Sequence, residues 1–149
     1  MSIGDRIGVL DKGVLVQVGT PSEIYDKPVN TFVARAVGTP AMNLRPGRLA
    51  AGADFGGMVL PLFGSEPGAL IFGVRPEDLE PGGEGVAARI TDVEIHGVEK
   101  IVTLTAGTDR LRASVPVTVR VAVADDVGLG WNPARLQVFD AASGRNLRV

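Results

Sequence analysis

Hydrophobic and polar residues alternate through most of the second half of the chain. Val86, Ala88 and Ile90 occupy even positions, whereas Val93 and Ile95 occupy odd ones. Successive strand side chains point to opposite faces, so the switch requires one extra residue. A bulge or sharp bend is expected at Thr91-Asp92, of the kind a curled strand in a small barrel needs. His96-Gly97 marks a turn, residues 100–106 form the partner strand, and Gly107-Thr108-Asp109 turns the chain again. From Leu111 to Val123 every odd position is apolar, in a run interrupted by Pro116 and ended by Asp125-Asp126. Residues 127–131 and 136–139 predict two further strands, and residues 140–144 a tight turn.

The first half reads differently. Ile7-Gly8-Val9-Leu10 and residues 14–18 flank Asp11-Lys12-Gly13, predicting a hairpin with Gly13 at positive φ. Thr20 is an N-cap, Pro21 suits the first helical position, and Glu23 completes a capping box. Pro28 keeps this helix short by disfavouring helical geometry at Lys27. Asn30 caps a second helix with Phe32, Val33, Ala36 and Val37 along one side and Gly38 at its end. Asn43-Leu44 enters the next strand. Residues 45–69 are rich in Gly, Ala and Pro, with short strands at 58–60 and 62–63 broken by Pro61. Residues 69–74 predict a buried strand stopped at Pro76, and residues 80–85 an exposed loop. The fold class is mainly β, an OB-like Greek-key barrel behind a short hairpin and helical leader.

Composition narrows the function. The chain has 149 residues, 45% of them apolar, with 20 Gly and 10 Pro, which suits many short strands. A net charge of −2 offers no electrostatic reason to expect nucleic acid or anionic lipid. There is no Cys, which excludes disulfides and thiolate chemistry and fits a reducing cytoplasm. No apolar run approaches the ~20 residues of a membrane span.

No catalytic constellation emerges. His96 is the only histidine, and with no Cys and no second His it reads as a solvated turn residue rather than a metal ligand. Asp125-Asp126 lacks the alternating acidic spacing of a calcium loop. Gly82-Gly83-Glu84-Gly85 lacks the Lys and helix of a phosphate loop. Trp131 has no basic and aromatic stripe beside it and reads as core. Arg75-Pro76-Glu77-Asp78 has two readings of similar weight: a contact surface, or a strand end whose charges face water.

Four collinear elements resemble the end of the ATP-hydrolysing subunit of sugar-importing ABC transporters. They are the opening run of residues 5–44, Gly73-Val74-Arg75-Pro76-Glu77, Val93-Glu94-Ile95-His96-Gly97-Val98-Glu99, and Pro133-Ala134-Arg135-Leu136-Gln137-Val138-Phe139-Asp140 followed by Gly144. Gln137 stands where the family has His, and residues 45–69 and 112–130 match poorly. The resemblance implies that residues 1–37 are the last hairpin and helices of the ATPase domain, and residues 38–149 an OB-like TOBE, or MOP-like, regulatory domain. The phosphate loop, the acidic Walker B strand, the signature Leu-Ser-Gly-Gly-Gln and the switch histidine are all missing from the sequence. It therefore implies no catalytic, cofactor or metal residue in this chain, with ATP and Mg belonging to the parent subunit. Met1-Ser2-Ile3-Gly4 looks like interior family sequence.

The expected role is mechanical: a barrel that pairs with its twin, in the cytoplasm and at the cytoplasmic face of the inner membrane when assembled. Candidate dimer or regulatory contacts are Arg75, Pro76, Glu77, Asp78, Arg135, Phe139 and Asp140. Implied partners are a second copy, the transporter's membrane subunits through the ATPase domain, and a cytosolic regulatory protein; nucleic acid is not expected. The alternative is a MOP-type module binding molybdate-like oxyanions or another small ligand, although the Ser-Ala-Arg-Asn-type element of that lineage is missing here. Apolar Ile7, Val9, Val14, Val16 and Val18 are expected to be exposed, repacked on the barrel, or exchanged with a partner.

Overall fold

The computed structural model describes residues 5–48, 53–55, 58–60, 69–107 and 109–148. The chain opens with strands β1 (Ile7–Asp11) and β2 (Val14–Gly19), an antiparallel hairpin. Lys12 and Gly13 both have positive φ (50° and 79°), as a two-residue turn between right-twisted strands requires. Helix α1 (Pro21–Asp26) follows, with both halves of its capping box in place: Glu23 N–H donates to Thr20 Oγ1 at 3.2 Å, and Thr20 N–H donates to Glu23 Oε2 at 2.9 Å. Helix α2 (Thr31–Ala36) is capped by Asn30, whose Oδ1 accepts from Val33 N–H at 2.9 Å. Its buried side is Val33 and Ala34, whereas Phe32 and Ala36 are exposed. The expected face is thus rotated, because a six-residue helix touches its neighbours through one narrow stripe only.

The remaining strands are β3 (Asn43–Arg48), β4 (Ala53–Phe55), β5 (Met58–Leu60), β6 (Ala69–Val74), β7 (Leu79–His96), β8 (Glu99–Ala106), β9 (Asp109–Pro116), β10 (Asp126–Trp131) and β11 (Gln137–Asp140). They form a four-stranded sheet in the order β10-β7-β8-β9, a three-stranded sheet in the order β11-β6-β3, and the small β4-β5 pair. One core joins the two larger sheets: Leu70, Phe72 and Val74 from β6, Ile90 from β7, Val102 and Leu104 from β8, Leu111 and Ala113 from β9, Leu129 from β10, and Val138 from β11. The chain is mainly β, with curled sheets around a shared interior as in an OB-like barrel.

The face switch occurs where periodicity demands it. Ile90 pairs with Leu104 and Asp92 with Thr103, so Thr91 is the extra residue. Two other expectations fail. Residues 80–85 lie within β7 rather than in a loop: Leu79, Glu80 and Pro81 pair with Trp131, Gly130 and Leu129. Pairing resumes at Ala87, opposite Gly128, so the intervening residues form a bulge beside β10, with residues 82–85 exposed and Val86 packed on the core. The backbones approach closely there. A Cβ on Gly128 would lie 2.2 Å from the Gly83 carbonyl oxygen, and one on Gly85 2.3 Å from that of Leu129. Tertiary pairing overrides the turn chemistry of Pro81-Gly82-Gly83.

The long alternation beginning at Leu111 does not remain a strand. It ends at Pro116, which supplies no ladder N–H, and residues 117–125 fold as turns and coil. Val119 and Val121 still pack on the core, while Val123 is exposed. The expected short strand at 62–63 and the Thr108 position of the next turn lie outside the described residues.

Candidate functional site: a buried arginine joint

Helices α1 and α2 meet the β11-β6-β3 sheet through polar side chains. The chain leaves β6 at Val74, and Pro76–Asp78 forms one 3-10 turn, closed by Asp78 N–H donating to the Arg75 carbonyl at 2.9 Å. Arg75 is thereby turned back toward the helices and is only 3% exposed. Its Nη1 donates to the carbonyls of Ala34 (3.0 Å) and Val37 (2.8 Å), and its Nη2 to that of Tyr25 (3.0 Å). Those carbonyls lie at the C-terminal ends of α1 and α2, where backbone acceptors have no partner within the helix. The guanidinium also stacks on the Tyr25 ring, 4.1 Å from its centroid. Gly38, at φ 89°, makes room: a Cβ there would lie 2.9 Å from the Tyr25 ring and 3.3 Å from Arg75 Nη1.

A ring of charge surrounds this contact. The Tyr25 hydroxyl donates to Glu77 Oε1. Arg135 reaches Asp78 at 3.4 Å and Asp26 at 3.6 Å, tying the Pro133–Arg135 turn to both sides of the joint. Burial pulls the Arg75 pKa below its ordinary value, opposed by Tyr25, Glu77, Asp26 and Asp78. Burial and the Glu77 hydrogen bond push Tyr25 upward, keeping its hydroxyl a donor. Burial raises the Asp78 carboxyl, with Arg135 pulling the other way. The charge of Asp78 raises Arg135 in turn.

A second set of polar contacts extends the joint. Asn146 Nδ2 donates to the Pro28 carbonyl and to Gln137 Oε1, both at 2.8 Å, and Gln137 Nε2 donates to the Asp26 carbonyl at 3.2 Å. Gln17 links β2 to the chain after α1, donating to Lys27 O and accepting from Val29 N–H, each at 3.0 Å. Asp140 caps its turn by accepting from Ser143 N–H at 2.7 Å, and the Ser143 side-chain hydrogen bond, followed by this backbone bond, holds its carboxyl below the usual carboxylate range. Phe139 packs with Ala34 and Met42 in a small separate core.

The predicted contact residues therefore divide. Arg75, Pro76, Asp78 and Arg135 converge on the joint together with exposed Glu77, while Asp140 sits on the adjoining turn. Phe139 is fully buried within the chain. Arg75 does not face water, which corrects one of the two readings of its motif. Tyr25, Gln17, Gln137 and Asn146 carry the joint too, and they lie outside the candidate contact residues that the sequence motifs mark. Their partners lie up to 118 positions away along the chain, so no local spacing marks them. His96 is exposed and lies 3.1 Å from Glu94, and Asp126 pairs with exposed Arg89.

A family model described as the TOBE domain matches residues 72–139, from the middle of β6 to β11. This chain carries a TOBE domain. It is homologous over its whole length to ATP-binding subunits of sugar-type ABC importers and matches their C-terminal TOBE region. The trehalose/maltose import ATP-binding protein MalK of Thermococcus litoralis is 36% identical over 97% of this chain and 45% of its own length. The trehalose import ATP-binding protein SugC of Mycobacterium tuberculosis is 32% identical over 100% and 49%. The sn-glycerol-3-phosphate import ATP-binding protein UgpC of Cereibacter sphaeroides is 37% identical over 99% and 44%. The chain thus spans about half the length of these relatives, and none of their names favours the oxyanion alternative. The sequence carries no phosphate loop, and among the described residues no group of three or more His, Cys, Asp or Glu gathers to hold a metal. No helix among the described residues is long and apolar enough to cross a membrane.

Proposed function

We propose that this chain is the regulatory and dimerisation region of an importer's ATP-binding subunit, serving carbohydrate uptake without hydrolysing ATP itself. Residues 1–37 are the end of the ATPase domain, and residues 38–149 the regulatory barrel. The observation that carries this reading is the Arg75 joint. A barrel that holds a motor dimer together must move as one body with the last elements of that motor. Three bonds from one buried guanidinium to the ends of both helices provide that stiffness.

In this reading the barrel pairs with a second copy, and the ATPase domain meets the membrane subunits at the cytoplasmic face of the inner membrane. A cytosolic regulatory protein reaches the exposed side of the barrel. Of the hairpin residues expected to lie open, Ile7, Val14 and Val18 are exposed and Val9 and Val16 half-buried; with Leu10 and Leu15 also exposed, this supports their being covered by the rest of a larger subunit. Light scattering at tens of micromolar tests the pairing: a dimer is expected, and a monomer alone counts against it. Measurable ATP turnover by the purified chain counts against the non-catalytic role. Limited proteolysis tests the boundary, with cleavage between residues 35 and 48 expected to release a stable barrel.

A further inference from the structure

We propose that the groove between α2, β3 and β9 is a binding site for a small organic phosphate bearing two or more negative charges. It encloses about 440 Å³ and is lined by Arg35, Met42, Asn43, Leu44, Arg110 and Arg112, together with Ala41. Such a volume suits a metabolite-sized ligand. Arg110 and Arg112 are two apart on β9, so both project from the solvent face while Leu111 and Ala113 point into the core. Arg35 comes from the last turn of α2. All three arginines are exposed, and among the described residues none has an ion pair.

Unpaired guanidiniums that converge in a chain of net charge −2 need a reason. The neighbouring carboxylate, Asp109, does not neutralise them, because it is held by Arg45 at 2.7 Å. The floor of the groove is preformed. Asn43 donates from Nδ2 to the carbonyls of Val74 (3.1 Å) and Arg112 (2.8 Å), and its Oδ1 accepts from Arg112 N–H at 2.8 Å. These bonds lock β3 against β9 and fix the backbone from which Arg112 projects. Guanidinium forks match phosphate oxygens in pairs, and the apolar Met42 and Leu44 accommodate the ligand's carbon body. The site goes beyond the regulatory role proposed above and does not depend on it.

The test is titration of the whole chain with inorganic pyrophosphate and with phosphoglycolate, read by calorimetry and by backbone amide NMR shifts. Saturable binding at about 0.15 M salt is expected, with shifts centred on Asn43, Arg110 and Arg112. The double variant Arg110→Gln/Arg112→Gln, and Arg35→Gln separately, should each weaken binding by about tenfold or more without changing the thermal transition. Arg120→Gln, another exposed arginine, should leave binding unchanged. Shifts spread evenly over surface arginines, affinity retained in the double variant, or response to polyglutamate with none to either small anion would each overturn the proposal. Oligomeric state, measured on the same samples, reports separately on the regulatory reading.

Discussion

The barrel interior and the helix–barrel joint are held by opposite means. The interior is built from apolar side chains of both larger sheets, and burial there is non-directional. Among the described residues the joint buries fewer and smaller apolar contacts, from Ile24, Val33, Ala34, Met42 and Phe139, and adds directed bonds from Arg75, Asn146, Gln137 and Gln17. An apolar interior tolerates modest rearrangement, because any well-filled packing recovers most of the burial. A joint of directed bonds is specific in geometry and fails when one donor is lost, since its partners are then left buried and unsatisfied. Hence the two regions should respond differently to substitution.

The largest effect is expected in the interior. Phe72→Ala removes a fully buried ring and should lower stability by about 4 kcal/mol, measured by urea denaturation. Barrel and joint should be lost together, because β6 belongs to both. Arg75→Met should come next, at about 3 kcal/mol, since it keeps much of the stem's packing but strands the carbonyls of Tyr25, Ala34 and Val37. Its signature should be local: hydrogen exchange accelerates over residues 20–37 while β8 stays protected. Uniform loss of protection would mean the joint and the interior are one cooperative unit, and the contrast drawn here would fail.

Thr20→Ala breaks the capping box of α1 and should reduce stability by about 1 kcal/mol, again seen first as faster exchange in α1. The smallest effect concerns pH. Burial raises the Asp78 pKa above its ordinary 3.8, so the folded chain keeps this proton over a range where the unfolded chain has released it. Stability from this group is therefore greatest below pH 3.8 and declines as pH rises toward the raised value. Asp78→Asn should flatten that part of the pH–stability curve. The accompanying loss of the half-exposed Arg135 contact should amount to less than about 1 kcal/mol. A curve of unchanged slope would place the pH dependence elsewhere.

What could be read from the residues alone follows from local stereochemistry. The Lys12-Gly13 turn, the Thr20 and Asn30 caps, the strand at residues 69–74 and the bulge at Thr91 each depend on a handful of neighbouring residues. The relation to importer subunits was legible too, in four short elements kept in order. Only tertiary structure decided the rest. Residues 79–81 become strand because β10 pairs with them, and the run past Pro116 leaves the sheet despite its alternation. Arg75 finds carbonyls 38 to 50 positions earlier, and Arg35 joins Arg110 and Arg112 around one groove. Periodicity says which side of an element is apolar; it carries no information on which distant backbone group will meet a long polar side chain once the sheets curl together.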